Sequence, residues 1–116
     1  MSASQASALT AIAFQLAAAL EAYEAELDRM TGVHIDPELY QLVAQCMDDM
    51  RMFAASLPKL SVLWVELMIR HFEYTHGLWR GQRGEATAAE LQALYARLRE
   101  ATRTLHGACV REITEG

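Results

Sequence analysis

Glycine, proline and cysteine are scarce in this sequence, which contains six, two and two of them among 116 residues. Few glycines and prolines, together with the absence of low-complexity segments, argue against a disordered or fibrous chain. Apolar residues make up 53% of the chain, enough to bury one continuous core without metals or disulfides. We therefore expect a single helical-bundle domain over residues 1–116.

Basic residues are also in deficit, because ten Lys and Arg stand against 15 Asp and Glu, for a formal net charge of -5. Broad binding to nucleic acid needs an excess of basic side chains to replace phosphate counterions. Neither nucleic acid nor an anionic membrane is therefore expected as a partner. Residues 1–58 contain eight acids but only Arg29 and Arg51 as bases, so this half would steer a protein with a basic surface towards it.

The sequence lacks a clear targeting signal. The apolar segment 11–20 is preceded by no Lys or Arg and is interrupted by Gln15, so we interpret it as an ordinary helix. The longest apolar run is shorter than a bilayer span. Cys46 and Cys109 fall on apolar stripes at different heights of the predicted helices, and we expect two free, buried thiols. Such thiols suit a reducing cytoplasm, which is the predicted location.

Apolar residues spaced three and four apart predict four amphipathic helices. The first is expected from about Ser7 to Met30 and ends at Gly32, since glycine accepts the left-handed conformation that follows a helix. The second begins with Asp36 as N-cap and Pro37 at the first helical position. It ends before Pro58.

The third helix is expected to end in a loop containing Gly77, Gly81 and Gly84, after which Thr87 and Glu90 form a capping box for the fourth. Short connections make neighbouring helices antiparallel, and spacing close to 3.5 residues favours shallow crossing angles. The predicted fold class is therefore all-α: an antiparallel four-helix up-down-up-down bundle, which we expect to be dimeric.

The third helix has more apolar side chains than one core can cover. One face carries Trp64 and Leu67, and a second apolar face lies on nearly the opposite side. Either this helix is wedged between long neighbours, or the second face is a two-fold dimer interface with aromatic anchors. We expect the interface. Its predicted residues are Phe14 of the first helix and Val62, Val65, Ile69, Phe72 and Trp79 of the third.

The segment from Arg70 to His76 offers a catalytic alternative. An arginine separated by five residues from a histidine resembles the signature of HEPN-type ribonucleases, which are also small helical bundles that dimerise. The resemblance implies that His76 is a general acid or base and that Arg70 stabilises phosphate charge. The same type of spacing occurs twice more in this chain. Arg70 also has a structural role, because Glu66 and Glu73 flank it on the helix.

Other motifs indicate no cofactor. Glu73 and His76 form one Glu-x-x-His pair, whereas a ferritin-like metal site needs a second copy and further inward carboxylates. His71 is expected to be a core histidine with a hydrogen-bond partner. The predicted function is a non-enzymatic protein–protein interaction module, acting as a homodimer on an unidentified protein: an acidic adaptor, regulator, inhibitor or chaperone. The alternative is a HEPN-like ribonuclease that uses Arg70 and His76.

Overall fold

The structure is a computed structural model that describes residues 3–30 and 36–115, and in this part of the chain it contains helices and no strands. The prediction of an all-α fold with four helices is confirmed. A short 3-10 turn, Pro58–Leu60, separates the second helix from the third. The four helices are α1 (Ala3–Arg29), α2 (Pro37–Ala55), α3 (Ser61–Gln82) and α4 (Ala88–Glu115).

The predicted N-caps begin α2 and α4. The Asp36 carboxylate accepts a hydrogen bond from the Glu38 amide at 3.0 Å, and Pro37 occupies the first helical position. The Thr87 hydroxyl accepts from the Glu90 amide at 3.1 Å. These side chains satisfy amides that have no partner inside the helix, so both starts follow from local sequence. The predicted stop at Gly32 lies outside the described residues.

The prediction that glycines end the third helix is wrong at two of three positions. Gly77 and Gly81 lie inside α3, and of the three only Gly84 follows the helix, with a φ of 74°. A Cβ atom on Gly77 would lie 2.7 Å from Cδ1 of Leu94, closer than carbon atoms approach. A Cβ atom on Gly81 would also be crowded by α4. The two glycines therefore let α3 and α4 approach closely.

We expect substitutions at Gly77 to reveal this close approach. Gly77→Val should lower the free energy of unfolding by about 1–3 kcal/mol, because the larger side chain overpacks the α3–α4 contact. Gly107 of α4 is the matched control, since a Cβ atom there would meet only Nη1 of Arg111, at 3.9 Å. Gly107→Ala should raise the free energy of unfolding by about 0.5–1 kcal/mol through helix propensity. Urea unfolding followed by circular dichroism measures both, and an unchanged or raised free energy of unfolding for Gly77→Val would contradict the close approach.

The core is a continuous cluster of apolar side chains from all four helices. α1 packs along both α2 and α4, and α3 packs along α4, whereas α2 and α3 contact each other much less. The Cα atoms extend over 54 × 24 × 17 Å, as expected for long helices packed side by side. The large side chains buried at this centre include Leu16, Leu20, Tyr23, Leu27, Met50, Leu67, Leu98 and Leu105.

Ion pairs between α1 and α4 account for part of the uneven charge. Glu24 lies 3.0 Å from Arg99 and 3.6 Å from Arg103, and Asp28 lies 3.7 Å from Arg99. The Tyr95 hydroxyl donates a hydrogen bond to Asp28. Acidic side chains of the first half of the chain are thus matched by arginines of the last helix.

By length and composition, α1 is apolar enough to cross a membrane, a criterion that core helices of soluble proteins and signal sequences also meet. In this structure Leu16 and Leu20 of α1 are fully buried against the other helices. Its carboxyl-terminal half carries the acids that pair with α4. α1 therefore contributes to the core of the helical bundle.

Candidate protein-interaction surface

Exposed apolar side chains are concentrated on α3. Of the nine large apolar side chains that are exposed in the described part of the chain, five lie on this helix, with exposed fractions between 45% and 78%. They are in contact with solvent, so the neighbouring helices do not enclose them within one chain. We call these residues the α3 stripe: Val62, Val65, Ile69, Phe72 and Trp79.

The α3 stripe follows a regular spacing. Its members are separated by three, four, three and seven residues, which matches the a and d positions of a heptad repeat. His76, which is also exposed, fills the position between Phe72 and Trp79. The opposite face of α3 contributes Leu67 and Tyr74 to the core. α3 therefore has a core face and, on its other side, a straight seam of six positions. The seam consists of the α3 stripe and His76.

The size of the α3 stripe suits an interface. From the exposed fractions, its five side chains present roughly 500 Å² of surface, which is in the range of the largest patches on monomeric proteins. A stable interface of standard size covers about 800 Å² on each partner. The α3 stripe supplies more than half of this area, and the polar residues along its edges can supply the remainder.

A charged edge borders the α3 stripe. Arg70 donates one hydrogen bond to Glu66 and another to Glu73, both at 2.8 Å, as the spacing on the helix predicts. The three side chains together carry one net negative charge. The guanidinium group is held between two carboxylates of its own helix. Six residues along a helix correspond to about 240° of rotation, which turns Arg70 away from His76.

Phe14 lies on a different surface. It is exposed on α1 and lines an open groove. The other residues of the groove include Thr10 and Ala11 of α1 and Ile113 of α4. No residue of α3 lines this groove. The predicted interface residues therefore separate into the α3 stripe, which the structure brings together, and Phe14, which it places elsewhere.

Trp79 is supported from within the chain by a contact that the sequence did not predict. The ring of Tyr40 on α2 lies 5.9 Å from the Trp79 ring, at an interplanar angle of 53°. Such a tilted pair is a favourable aromatic geometry. The contact with Tyr40 restricts the orientation of the Trp79 ring, while 54% of the tryptophan surface stays exposed. A partly exposed tryptophan with a restricted orientation is suited to anchor an interface.

His71 is the core histidine that the sequence predicts. It is 7% exposed, and its Nδ1 lies 2.7 Å from the hydroxyl of the fully buried Tyr23. Burial lowers the pKa of His71 to about 4, so the imidazole is neutral near pH 7 and its Nδ1 forms a hydrogen bond with the tyrosine hydroxyl. Burial also raises the pKa of Tyr23. The pair therefore satisfies two polar groups inside the core.

We expect the two cysteines to differ in reactivity. Cys109 is fully buried and Cys46 is half-buried, and both are free. Burial raises the pKa of Cys109 to about 11 and also raises the pKa of Cys46, and a thiol with a raised pKa reacts slowly. Titration with Ellman's reagent should therefore detect Cys46 slowly in the native protein and Cys109 only after unfolding. Cys46→Ser should abolish the native reaction; fast labelling that remains would contradict the burial of Cys109.

The described ranges, 3–30 and 36–115, contain no group of three His, Cys, Asp or Glu side chains positioned to bind a metal ion together. The Glu73 carboxylate accepts a hydrogen bond from Arg70. Comparison with protein families, with curated proteins and with solved structures finds no match for this chain.

Proposed function

We propose that this chain is a non-enzymatic protein–protein interaction module that forms a homodimer through the α3 stripe. The observation that carries the proposal is the alignment of five exposed apolar side chains along one helix. At about 25 cal/mol per Å², burying roughly 500 Å² on each of two copies is worth about 25 kcal/mol before costs. This gain has to offset about 4–15 kcal/mol or more of lost translational and rotational freedom, together with side-chain ordering and polar desolvation, and a stripe of this size is compatible with a dimer.

The dimer is proposed to consist of two antiparallel, up-down-up-down bundles. Asp28 near the end of α1 contacts Tyr95 near the start of α4, which supports opposite directions for these two helices. Tyr40 near the start of α2 contacts Trp79 near the end of α3, which supports the same relation for that pair. In this arrangement the outer face of α3 points away from the core and is accessible to a second copy.

A further protein with a basic surface is the proposed client of this adaptor, regulator, inhibitor or chaperone. Glu24 and Asp28 of α1 pair with α4, so such a protein would meet acids of α2, among them Glu38 and Asp49. The proposed location is the cytoplasm. The free thiols of Cys46 and Cys109 support this location, because a reducing compartment keeps them free.

Hydroxyl-radical footprinting at increasing protein concentration tests the proposal. Modification of Phe72 and Trp79 should fall as the dimer forms. Met52, which is 62% exposed on α2, is the internal control and should react equally at every concentration. Constant modification of Phe72 and Trp79 over the whole range, up to high micromolar concentration, would contradict the proposed interface.

We expect no ribonuclease activity that depends on Arg70 and His76. The Arg70 guanidinium is already hydrogen-bonded to Glu66 and Glu73, and His76 is an exposed residue between Phe72 and Trp79, about 120° around the helix from Arg70. Purified protein incubated with single-stranded RNA should therefore leave the RNA intact, and His76→Ala should not change this result. Cleavage that is lost in both Arg70→Ala and His76→Ala, while each variant remains folded, would establish the HEPN-like alternative.

A further inference from the structure

We infer that the two copies meet in antiparallel orientation, with the two-fold axis passing between Ile69 and Phe72. This inference rests on the proposed homodimer and specifies its geometry. In this register Val62 faces Trp79 of the second copy, and Ile69 faces Phe72 of the second copy. Val65 then faces His76 of the second copy, so every position of the seam lies opposite another position of the seam.

The sizes of the side chains favour this orientation. The α3 stripe begins with two valines and ends with a phenylalanine and a tryptophan, so it becomes bulkier along the helix. A parallel dimer in register would place Trp79 against Trp79 at one end and Val62 against Val62 at the other. One end would be overpacked and the other underpacked. An antiparallel dimer pairs a large side chain with a small one in the outer layers, which keeps the two helices evenly spaced.

The position of the axis allows full overlap of the two helices. α3 runs from Ser61 to Gln82, and the point between Ile69 and Phe72 is close to its middle. Both copies of α3 therefore cover one another over nearly their whole length. Their helix dipoles also run in opposite directions, which is the favourable arrangement for adjacent helices.

Electrostatics opposes this orientation only weakly. Antiparallel packing brings the Glu66–Arg70–Glu73 edges of both copies to the same side of the seam. Each edge holds an arginine between its two carboxylates, so each copy contributes one net negative charge. These groups are partly exposed to solvent, where like-charge repulsion is screened. Overpacking and underpacking at the two ends of the seam, as in the parallel dimer, is the larger penalty, because overpacking costs about 1–3 kcal/mol.

A spin label at residue 62 distinguishes the two orientations. The label is attached to Val62→Cys in a Cys46→Ala background, since Cys109 is fully buried. Double electron–electron resonance should give a distance of about 27 Å between the two backbone positions in the antiparallel dimer, whereas the distance of about 10 Å in a parallel one should broaden the continuous-wave spectrum. A dimer with the short distance would overturn the orientation alone. A wild-type protein of monomer mass at the same concentration would overturn the proposed dimer as well.

A double-mutant cycle with opposite charges at residues 62 and 79 tests the same facing pair without a label. Val62→Glu and Trp79→Lys each place a charge at one end of the seam, and both suit the helix dipole of α3. Each single variant should weaken the dimer. In the antiparallel dimer the double variant pairs opposite charges, so its Kd should be about tenfold lower than the two single effects multiplied together predict. Purely multiplicative effects, in variants with unchanged circular dichroism, would contradict the antiparallel orientation.

Discussion

Ile69→Glu is expected to convert the proposed dimer into monomers and to raise its Kd by several hundred-fold or more. Ile69 lies at the centre of the α3 stripe, next to the proposed two-fold axis, so each dimer would bury two introduced carboxylates. Each copy loses an apolar contact worth about 1 kcal/mol and gains an unpaired charge whose burial costs more. Two such sites amount to at least about 4 kcal/mol per dimer, and every 1.4 kcal/mol is a factor of ten in Kd.

Met52→Glu is the matched control for this substitution. Met52 is 62% exposed on α2, outside the α3 stripe, and the same charge is introduced on a helix surface. We expect this variant to keep the wild-type Kd and helical content. Light scattering at several concentrations measures both variants. Equal masses for Ile69→Glu and Met52→Glu, whether monomer or dimer, would show that the α3 stripe is not the contact.

The second large effect is expected in acid, where His71 should destabilise the fold by about 3 kcal/mol. Burial lowers the pKa of His71 from 6.5 to about 4 in the folded protein. The unfolded chain therefore binds a proton at higher pH than the folded chain does. The contribution of neutral His71 is fully present above pH 6.5 and is lost as the pH falls from 6.5 to about 4.

His71→Leu isolates this contribution from the titration of carboxylates. Urea unfolding across this pH window should show a steeper loss of stability in the wild type than in His71→Leu. At neutral pH the variant leaves the Tyr23 hydroxyl unpaired, at a cost of about 1–3 kcal/mol, and Tyr23→Phe combined with His71→Leu should recover part of it. Parallel pH profiles for wild type and His71→Leu would show that His71 is not buried as a neutral group.

The helix starts could be predicted because their causes are local. Asp36 and Thr87 accept hydrogen bonds from amides two and three residues later, and Pro37 fixes its own φ at the first helical position, so sequence alone contains the whole interaction. Gly77 and Gly81 were assigned wrongly for the opposite reason. Their role depends on side chains of α4, which are distant in sequence. In the sequence, a glycine that ends a helix looks the same as a glycine that allows a neighbouring helix to pack closely.

The α3 stripe could be predicted because a single helix shows it: apolar residues occupy more of the circumference than one core covers. The placement of Phe14 could not, since a helical wheel says nothing about how faces of different helices relate. The contact between Tyr40 and Trp79 and the pairing of Glu24 with Arg99 depend on the relative position of two helices. Periodicity within each helix does not determine that position.

Sedimentation equilibrium of the wild-type protein tests whether the α3 stripe forms the proposed dimer. The wild-type protein should have a mass of twice the 13.0 kDa chain at micromolar concentration and should dissociate on dilution. Ile69→Glu measured alongside should give the mass of a single chain. A wild-type mass of one chain at every concentration up to the limit of solubility would contradict the proposed dimer.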